Sequence, residues 1–316
     1  MTHVPALPVR RGLIFVSAAG IAWGTGGAVG DFLRRAGDLS PVAVTFWRFV
    51  IGAALLLGVT FIGRPAGSRR AADPRRSWRM ILALGTTMAV SQVAYFAAIA
   101  ESGVALATMI AMGVNPLFVA AGGRLLLGER LSRAAKTGVG AAVAGLAMLA
   151  GGPGEFSAAG AGYAVLSAAA YAAMTLLSGA KRSGRADREG EARGDTVAWS
   201  FVAGAVCLLP LALADRVLPS GGDPLAATLS LAYLGIVPTA LAYGLFFAGL
   251  GVVSGTTAAV VVLLEPLVAG AIGVILLGEH LTPLQLAGGA LLMAAVYRLG
   301  RAELAAGPAG EGDGRA

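Results

Sequence analysis

The chain is poor in charge, cysteine and histidine, and each shortage excludes a class of protein. Charged residues make up 13% of its 316 residues, against about 25% in a soluble domain. A single cysteine, Cys207, excludes a disulfide framework and a cysteine metal site. His3 and His280 are too few and too far apart in the sequence for a metal cluster or a Ser-His-Asp triad. We therefore expect no catalytic residues, no metal and no cofactor.

Hydrophobic residues are what the chain has in excess. They make up 57% of the sequence, and the mean hydropathy of +0.77 excludes a soluble globular protein. The net charge of +7 and the pI near 10.2 would suit a nucleic-acid binder. However, the basic residues stand in short clusters between apolar spans, which is typical of membrane orientation and not of phosphate binding. The expected partner is therefore a lipid bilayer and not a nucleic acid.

The apolar residues form spans of membrane-crossing length, since a bilayer core of about 30 Å needs about 20 apolar residues per helix. They predict an all-α integral membrane protein with ten transmembrane helices. The predicted helices lie at 12–30, 41–62, 78–100, 104–123, 134–150, 158–180, 196–214, 225–249, 254–277 and 283–300. The first span resembles a signal peptide, but nine spans follow it without a clear cleavage site, so we predict an uncleaved helix. The tail at 301–316 is rich in Gly, Ala and acidic residues and is predicted to be disordered.

Polar residues just before several spans predict where the helices start. Three spans have a capping side chain followed by proline at the first helical position. These are Ser40-Pro41, Asp223-Pro224 and Thr282-Pro283. Thr282 and Gln285 also have the spacing of a capping box. Ser132 and Ser157 are candidate caps for two further helices.

The chain contains two copies of one unit, 150 residues apart. Residues 115–131 align without a gap to 265–281, and nine of the 17 positions are identical, where chance gives roughly two or three. The fronts of the copies also align, because Gly12, Ser17 and Thr25 each match an identical residue 150 positions later. This alignment predicts two domains of five helices each, a first repeat at 12–150 and a second repeat at 158–300.

Basic residues predict how the helices are oriented in the membrane. With the N-terminus in the cytoplasm, 20 of the 24 Lys and Arg residues fall in cytoplasmic segments and three in outer loops. Both termini are therefore predicted to be cytoplasmic. Because five is an odd number, the second repeat must be inverted relative to the first. Accordingly, four basic residues of the first copy have no Lys or Arg at the matching positions of the second: Arg124, Arg130, Arg133 and Lys136.

Each copy carries the motif Pro-x(11)-Gly-Glu-x-Leu across its fourth helix and into the following loop, starting at Pro116 and Pro266. Trp23-Gly24 and Arg48-Phe49 stand in the first two helices. With these features, the chain resembles the EamA-type branch of the drug/metabolite transporter superfamily over about residues 12–300. The resemblance implies a ten-helix inner-membrane transporter, often an exporter of amino acids or other small metabolites, and not an enzyme.

We therefore expect a secondary transporter, favoured as an exporter of small metabolites such as amino acids, that works by alternating access. Inverted repeats are a common construction of such transporters, with the substrate site near the bilayer midplane. No ATP site is visible in the sequence, so a proton or another gradient is the expected driving force. One alternative is a membrane-embedded enzyme acting on lipid-linked substrates, and another is a structural or sensory subunit. The sequence does not decide whether the protein is a monomer or a homodimer.

Two charges inside the spans are the main candidates for a substrate site. Glu265 lies near the bilayer centre, where an unpaired charge costs at least about 2.5–3.5 kcal/mol. Arg48 lies inside the second helix at a similar predicted depth below the outer surface. In the other copy Ser200 and Asn115 replace Arg48 and Glu265. We hypothesise that both face a central cavity and attract each other when it is empty. A zwitterionic or anionic substrate would then place its carboxylate on Arg48, while Glu265 holds an amine or a coupling proton.

Each candidate also has a purely structural interpretation. Glu265 could be a neutral, hydrogen-bonded brace of a proline-kinked helix, and Arg48 could extend toward the outer surface with its stem in lipid. Asn115 is either a substrate contact or an interhelical hydrogen bond. Three aromatic side chains are candidates to line the cavity, although aromatics in spans more often serve packing: Trp23, Tyr95 and Tyr243.

The glutamates of the repeated motif receive a different interpretation. Glu129 and Glu279 each follow a glycine at a helix end. Because they occur in both copies, on opposite predicted sides of the membrane, we predict that they are structural.

Overall fold

The computed structural model describes most of the chain, and the regular structure within the described residues is helical, without strands. The described residues are 9–62, 78–127, 133–150, 157–179, 189–215, 217–221, 223–250, 261–262 and 264–306. The helices are α1 (Val9–Gly37), α2 (Pro41–Ile62), α3 (Trp78–Leu127), α4 (Arg133–Ala150), α5 (Ala158–Gly179), α6 (Glu189–Ala214), α7 (Pro224–Gly235), α8 (Ala242–Leu250), α9 (Leu264–Ile275) and α10 (Pro283–Ala306). A π-helical turn, Ile236–Leu241, joins α7 to α8.

Six helical stretches among the described residues are long and apolar enough to cross a membrane, judged by length and composition. They are Arg10–Gly37, Pro41–Val59, Trp78–Leu125, Ala158–Leu177, Thr196–Ala214 and Pro224–Phe246. Two shorter apolar helices follow at Leu264–Ile275 and Pro283–Ala295. This is the composition of a multi-pass membrane protein.

The longest stretch, α3, folds back on itself at Gly103. Its 50 residues would extend about 75 Å if straight, far beyond a bilayer core of about 30 Å. Gly103 interrupts the helix with φ 79° and ψ 170°, a conformation that side-chain-bearing residues avoid. Tyr95 and Thr108 would lie about 20 Å apart along a straight helix, yet the Tyr95 hydroxyl is 2.6 Å from Thr108 Oγ1. Helix α3 is therefore a hairpin of two arms, 78–102 and 104–127, and the loop predicted between them is reduced to one residue.

Other helix boundaries differ from the predicted ones mainly at the ends. Helix α2 has the predicted bounds, whereas α1 continues to Gly37 and does not end at residue 30. The extra turns of α1 are stabilised by Asp31, whose carboxylate pairs with Arg34 at 3.0 Å and Arg35 at 2.7 Å, three and four residues later. The helix predicted at 254–277 falls partly on 254–260 and 263, which lie outside the described residues.

The end of the chain needs a correction. Helix α10 continues to Ala306, six residues into the tail predicted to be disordered. Residues 301–306 are Arg, Ala, Glu, Leu, Ala and Ala, which all favour helices, and glycine follows them. The rest of the predicted tail, 307–316, lies outside the described residues.

The predicted helix caps are confirmed wherever the structure describes them. Three caps accept a hydrogen bond of 2.8–3.1 Å from a backbone N–H of the first turn: Ser40, Ser157 and Asp223. The capping box is also present, because Thr282 Oγ1 accepts from Gln285 N at 3.2 Å and Gln285 Oε1 accepts from Thr282 N at 2.9 Å. Ser132 lies outside the described residues.

The main helix contacts join the first copy to the second. Helix α2 packs on α6, α4 packs on α10, and α5 packs along both arms of α3, while α1 packs against α8 and α9. Glycines permit the closest approaches. Gly145 of α4 and Gly288 of α10 face each other, since a Cβ on either would lie under 3.0 Å from the carbonyl oxygen of the other. These contacts bring α1, α2, α3, α8 and α9 around the charged residues described next.

Candidate functional site

Arg48 lies inside the protein, with 7% of its surface exposed. Its guanidinium donates three hydrogen bonds to other helices: to Gln92 Oε1 at 2.5 Å, to Thr239 Oγ1 at 2.9 Å and to the Pro238 carbonyl at 3.2 Å. All three acceptors are neutral, so they orient the guanidinium without cancelling its charge. Arg48 is therefore a positive charge held inside the protein, and its side chain does not extend toward the surface.

Two of these acceptors are available because the helix is distorted where they lie. Proline has no N–H, so Pro238 cannot donate to the Leu234 carbonyl one turn earlier. The Thr239 hydroxyl donates to that carbonyl at 2.8 Å and accepts from Arg48. The backbone opens into the π-helical turn Ile236–Leu241 at this place, and such turns are frequent at functional sites.

Helix α2 reaches this turn closely because Gly52 lies one helical turn after Arg48. A Cβ on Gly52 would lie 2.5 Å from Thr239 Cγ2. Gly235, at the end of α7, has a similar relation to Ile51, with which an added Cβ would clash. These two glycines set the distance across which Arg48 bonds to the turn.

Glu265 lies in the first turn of α9, before Pro266, and is half-buried. It interacts electrostatically with Arg48, Tyr95 and Tyr243. Among the described residues, however, its carboxylate forms no hydrogen bond, and no N–O pair within 4.0 Å joins it to Arg48. The two charges therefore share one region of the protein without forming a contact ion pair.

Trp23 and Tyr243 lie beside these charges. The rings are 5.3 Å apart between centroids, in an edge-on arrangement at 69°. Gly24 follows Trp23, and helix α1 passes close to α9 there. A Cβ on Gly24 would lie 2.7 Å from the Glu265 carbonyl oxygen. The small residue after Trp23 thus brings α1 against the start of α9.

Tyr95 approaches the same region from the first arm of α3. Its hydroxyl is held by Thr108 and lies next to Gly27, where an added Cβ would come within 3.0 Å. The structure therefore brings together five of the six residues that the sequence analysis names as site candidates: Arg48, Glu265, Trp23, Tyr95 and Tyr243.

Asn115 is the sixth candidate and is not joined to the others. It lies half-buried in the second arm of α3. Its Oδ1 atom is buried and has no hydrogen-bond partner among the described residues. Within that part of the chain, the interhelical hydrogen bond considered for Asn115 is not formed by this oxygen.

Three further polar residues at this site are missed by the sequence analysis: Gln92, Thr239 and Tyr171. Gln92 is an amide inside an apolar span, and such residues commonly bond across helices, so its position was a usable signal. Thr239 follows a proline inside a span, where a freed carbonyl needs a donor. Tyr171, which interacts electrostatically with Glu265 and Tyr243, shows no sequence feature that separates it from a packing residue.

Glu279 connects the two copies and interacts electrostatically with Tyr95. Its carboxylate accepts hydrogen bonds from Val104 N at 2.5 Å and Ala105 N at 2.8 Å, two N–H groups that have no partner within the helix. A Cβ on Gly103 would lie 2.8 Å from this carboxylate. Glu279 thus caps the second arm of α3, which agrees with a structural role. Glu129 lies outside the described residues.

One family of known proteins covers almost the whole chain. The EamA-like transporter family matches it twice, at residues 10–151 and 158–300. In addition, a solved crystal structure covers 94% of this chain and 99% of its own length with a TM-score of 0.59. The sequences of this pair are 20% identical, so the likeness concerns the fold alone.

Similar sequences carry transporter names. The "Uncharacterized transporter YwfM" of Bacillus subtilis (strain 168) is 29% identical over 89% of this chain and 90% of its own. The "Probable amino-acid metabolite efflux pump" of Salmonella typhimurium is 31% identical over 72% of this chain and 78% of its own. The "Probable terminal-alkyne amino-acid exporter" of Streptantibioticus cattleyicolor is 32% identical over 61% of this chain and 63% of its own. With the family pattern present in both halves, the chain belongs to the EamA-like transporter family.

Proposed function

We propose that the protein is a secondary transporter that exports small metabolites such as amino acids by alternating access, and that Arg48 and Glu265 hold the substrate. The observation that carries this proposal is a buried, oriented guanidinium near a carboxylate that does not contact it. Opposite charges held apart inside an apolar protein suit a ligand that bears both charges. Ionisable residues inside membrane helices commonly mark substrate or ion pathways.

The Arg48 donors that have no partner among the described residues indicate which chemical group the site takes. A guanidinium has five N–H groups, and three of them bond to Gln92, Thr239 and the Pro238 carbonyl. The other two can donate to a substrate carboxylate, as guanidinium groups do in paired hydrogen bonds. Glu265 then accepts the ammonium group of the same molecule, or a proton that is exchanged for it. An amino acid carries both groups at a short separation.

We also propose ten crossings arranged as two inverted repeats, 12–150 and 158–300. Reciprocal contacts between matched residues support a two-fold relation between the copies. Phe49 and Phe201 stand 152 positions apart, and their rings meet at 4.9 Å, as expected for residues on a two-fold axis. Gly52 and Gly204 are matched at the same spacing, and each faces the phenylalanine of the other copy. In this arrangement each arm of α3 is one crossing, and α7, the π-helical turn and α8 together form another.

The direction and location are part of the same proposal. The distribution of basic residues supports cytoplasmic termini in the inner membrane. The names of two relatives, an amino-acid metabolite efflux pump and a terminal-alkyne amino-acid exporter, support export of amino acids or related compounds. Oligomeric state does not enter the mechanism, since the Arg48 site is built within one chain.

Transport into inside-out vesicles tests this function. In such vesicles the cytoplasmic face is outside, so an exporter accumulates radiolabelled substrate in the lumen. We expect the parent to accumulate amino acids and Arg48→Gln to fall to the level of vesicles without the protein. Arg79→Gln is the matched control, because Arg79 is an exposed arginine at the start of α3, and it should transport like the parent.

Each result bears on a separate part of the proposal. Accumulation of other metabolites but not of amino acids would overturn the proposed substrate class and leave the proposal of a transporter standing. Equal transport by the parent and Arg48→Gln would show that Arg48 is not in the site. Unchanged accumulation after the proton gradient is collapsed would exclude the proton as the coupling ion.

A further inference from the structure

A groove of about 490 Å³ lies between α1, α9 and α10, and none of its described lining residues belongs to the Arg48 site. It is lined by Ser17, Val261, Leu264, Leu267, Met293, Ala294 and Tyr297. These side chains are apolar except for two hydroxyl groups. The volume lies within the range of about 300–1,000 Å³ that is usual for small-ligand sites.

The groove opens sideways, toward the surroundings of the helices. Leu267 is 60% exposed and Tyr297 is 44% exposed. On α1, Ile14 and Ile21 are 55% and 48% exposed and lie three residues before and four residues after Ser17, on the same helical face. An exposed apolar surface of this kind on a membrane-crossing helix is a lipid-facing surface.

Exposed arginines lie at one end of this groove. Arg10 precedes Ser17 by seven residues, which places it on the same face of α1 and about 10 Å further along the axis. Arg11 follows Arg10, and Arg298 directly follows Tyr297. All three arginines are exposed. In the proposed topology α1 leaves the cytoplasmic side and α10 returns to it, so the arginines of both helices lie at the cytoplasmic end of this groove.

We propose that this groove binds the acyl chain of an anionic phospholipid, with the lipid phosphate against Arg10, Arg11 and Arg298. The apolar walls suit the hydrocarbon chain, and the arginines provide the complementary charge at the level of the headgroup. Basic residues next to membrane-crossing helices attract anionic lipids in this way. The bound lipid would fill the space between α1 and α10, beside the start of α9. This inference does not depend on the substrate proposed above.

Lipid binding to the full-length protein tests the charge complementarity. The protein is purified in detergent, stripped of lipid and titrated with phosphatidylglycerol or with phosphatidylcholine of the same acyl chains, and bound lipid is measured by native mass spectrometry. We expect tighter binding of phosphatidylglycerol. Arg298→Gln should weaken that binding about fivefold, whereas Arg79→Gln, which removes an exposed arginine from α3, should leave it unchanged.

A variant that fills the groove tests whether the lipid binds there. Ala294→Phe puts a ring into the groove and should remove the tightly bound phosphatidylglycerol. Ala144→Phe is the matched control, because Ala144 stands 150 positions before Ala294 in the other copy and is likewise exposed. Gel-filtration elution of each variant is compared with that of the parent.

Three results would overturn the proposal. Equal affinity for the two lipids would show that the arginines do not select an anionic headgroup. Full phosphatidylglycerol binding by a folded Ala294→Phe would place the lipid elsewhere. A changed oligomeric state in that variant, with unchanged lipid binding, would assign the groove to a second copy of the chain. If Ala294→Phe does not fold, the comparison of Arg298→Gln with Arg79→Gln decides.

Discussion

Matched residues of the two sequence copies have different surroundings, as Ser17 and Ser167 illustrate. Ser17 is partly exposed and lines the groove beside α9 and α10. Ser167 is 3% exposed, and its hydroxyl lies 3.3 Å from Ser91 Oγ. Helix α5 packs along both arms of α3, whereas α1 spreads its contacts over several elements, with α8 and α9 first among them. The same sequence unit is therefore closely packed at Ser167 and open at Ser17.

The two copies also differ in charge, because each has a neutral residue where the other has Arg48 or Glu265. Ser200, the match of Arg48, donates its hydroxyl hydrogen bond within its own helix, to the Thr196 carbonyl at 2.7 Å. Asn115, the match of Glu265, carries no charge. Each charged helix thus has a counterpart in the other copy that forms without the charge, so the helix itself does not require it. Charges that the packing does not require, and that are costly inside a membrane, are reasonably assigned to function.

The sharpest test of the comparison between copies concerns membrane side and gives an all-or-none result. Arg70 and Gly222 stand 152 positions apart in matched loops. If the copies are inverted, a reporter fused at Arg70 is cytoplasmic and a reporter fused at Gly222 is periplasmic. A fusion at Arg188, between the copies, should be cytoplasmic. A periplasmic signal at Arg188, measured with paired phosphatase and fluorescent-protein reporters, would contradict inverted repeats.

The next largest effect is expected from the carboxylate that distinguishes the second copy. Glu265→Gln preserves shape and removes the charge, and we expect transport to fall by about 10- to 150-fold, the value of a lost charge-assisted hydrogen bond. Asn115→Ala, at the matched position, should have a smaller effect because Asn115 is not joined to the Arg48 region. Initial rates in inside-out vesicles over a range of pH measure both variants. If Glu265→Gln keeps the parent rate and pH dependence, Glu265 is a structural residue.

The same two charges make a prediction about stability. Removing one partner of a buried contact pair costs about 3–5 kcal/mol, but Arg48 and Glu265 are not within 4.0 Å. We therefore expect a smaller coupling between Arg48→Gln and Glu265→Gln, measured by thermal unfolding of the single and double variants. A coupling as large as that of a contact pair would indicate that the charges meet in another conformation.

Glu279→Gln should lower stability without changing substrate affinity. The carboxylate accepts two backbone hydrogen bonds at the start of the second arm of α3, and hydrogen bonds to charged groups contribute about 1.5–3 kcal/mol each. We expect a lower folded yield in fluorescence-detected gel filtration. Glu129→Gln, the matched variant, is predicted from the sequence alone to behave in the same way. Normal abundance with abolished transport in either variant would show that its glutamate acts in transport.

The smallest effect is expected from glycines that match between the copies. Gly52→Ala would push Thr239 away from α2 and so disturb the oriented guanidinium of Arg48, which we expect to raise the KM for transport about tenfold, or about 1.4 kcal/mol. Gly204→Ala would press on Phe49 and should mainly lower the unfolding temperature. An unchanged KM in Gly52→Ala, at normal abundance, would mean that Thr239 does not position Arg48 for the substrate.

Most of the helices could be predicted because a membrane-crossing segment and its cap are local properties of the chain. The bounds of α2 and the caps at Ser40, Ser157 and Asp223 follow from residues within one or two turns. The end of α1 could not be placed as well, because it depends on the pairing of Asp31 with Arg34 and Arg35 after the apolar run has ended.

The charged residues of the candidate site could be predicted from the sequence, but their hydrogen-bond partners could not. Arg48 and Glu265 are conspicuous because charge is rare in an apolar span. Gln92 and Thr239 lie 44 and 191 residues away from Arg48 in the sequence. Whether they meet its guanidinium depends on how α2 is rotated and on how closely Gly52 lets α2 approach the π-helical turn. The spacing of residues within one helix does not predict either of these.

The sequence by itself determined the membrane class, the duplicated unit, the helix caps and the rarity of charge inside the spans, since each of these is a local or periodic property. Tertiary structure alone decided the closure of α3 at Gly103 with Glu279 on its second arm, the separation of Arg48 from Glu265, and the open groove at Ser17. These features arise from the distances between helices, and those distances follow from packing across the two copies, where matched residues meet different neighbours.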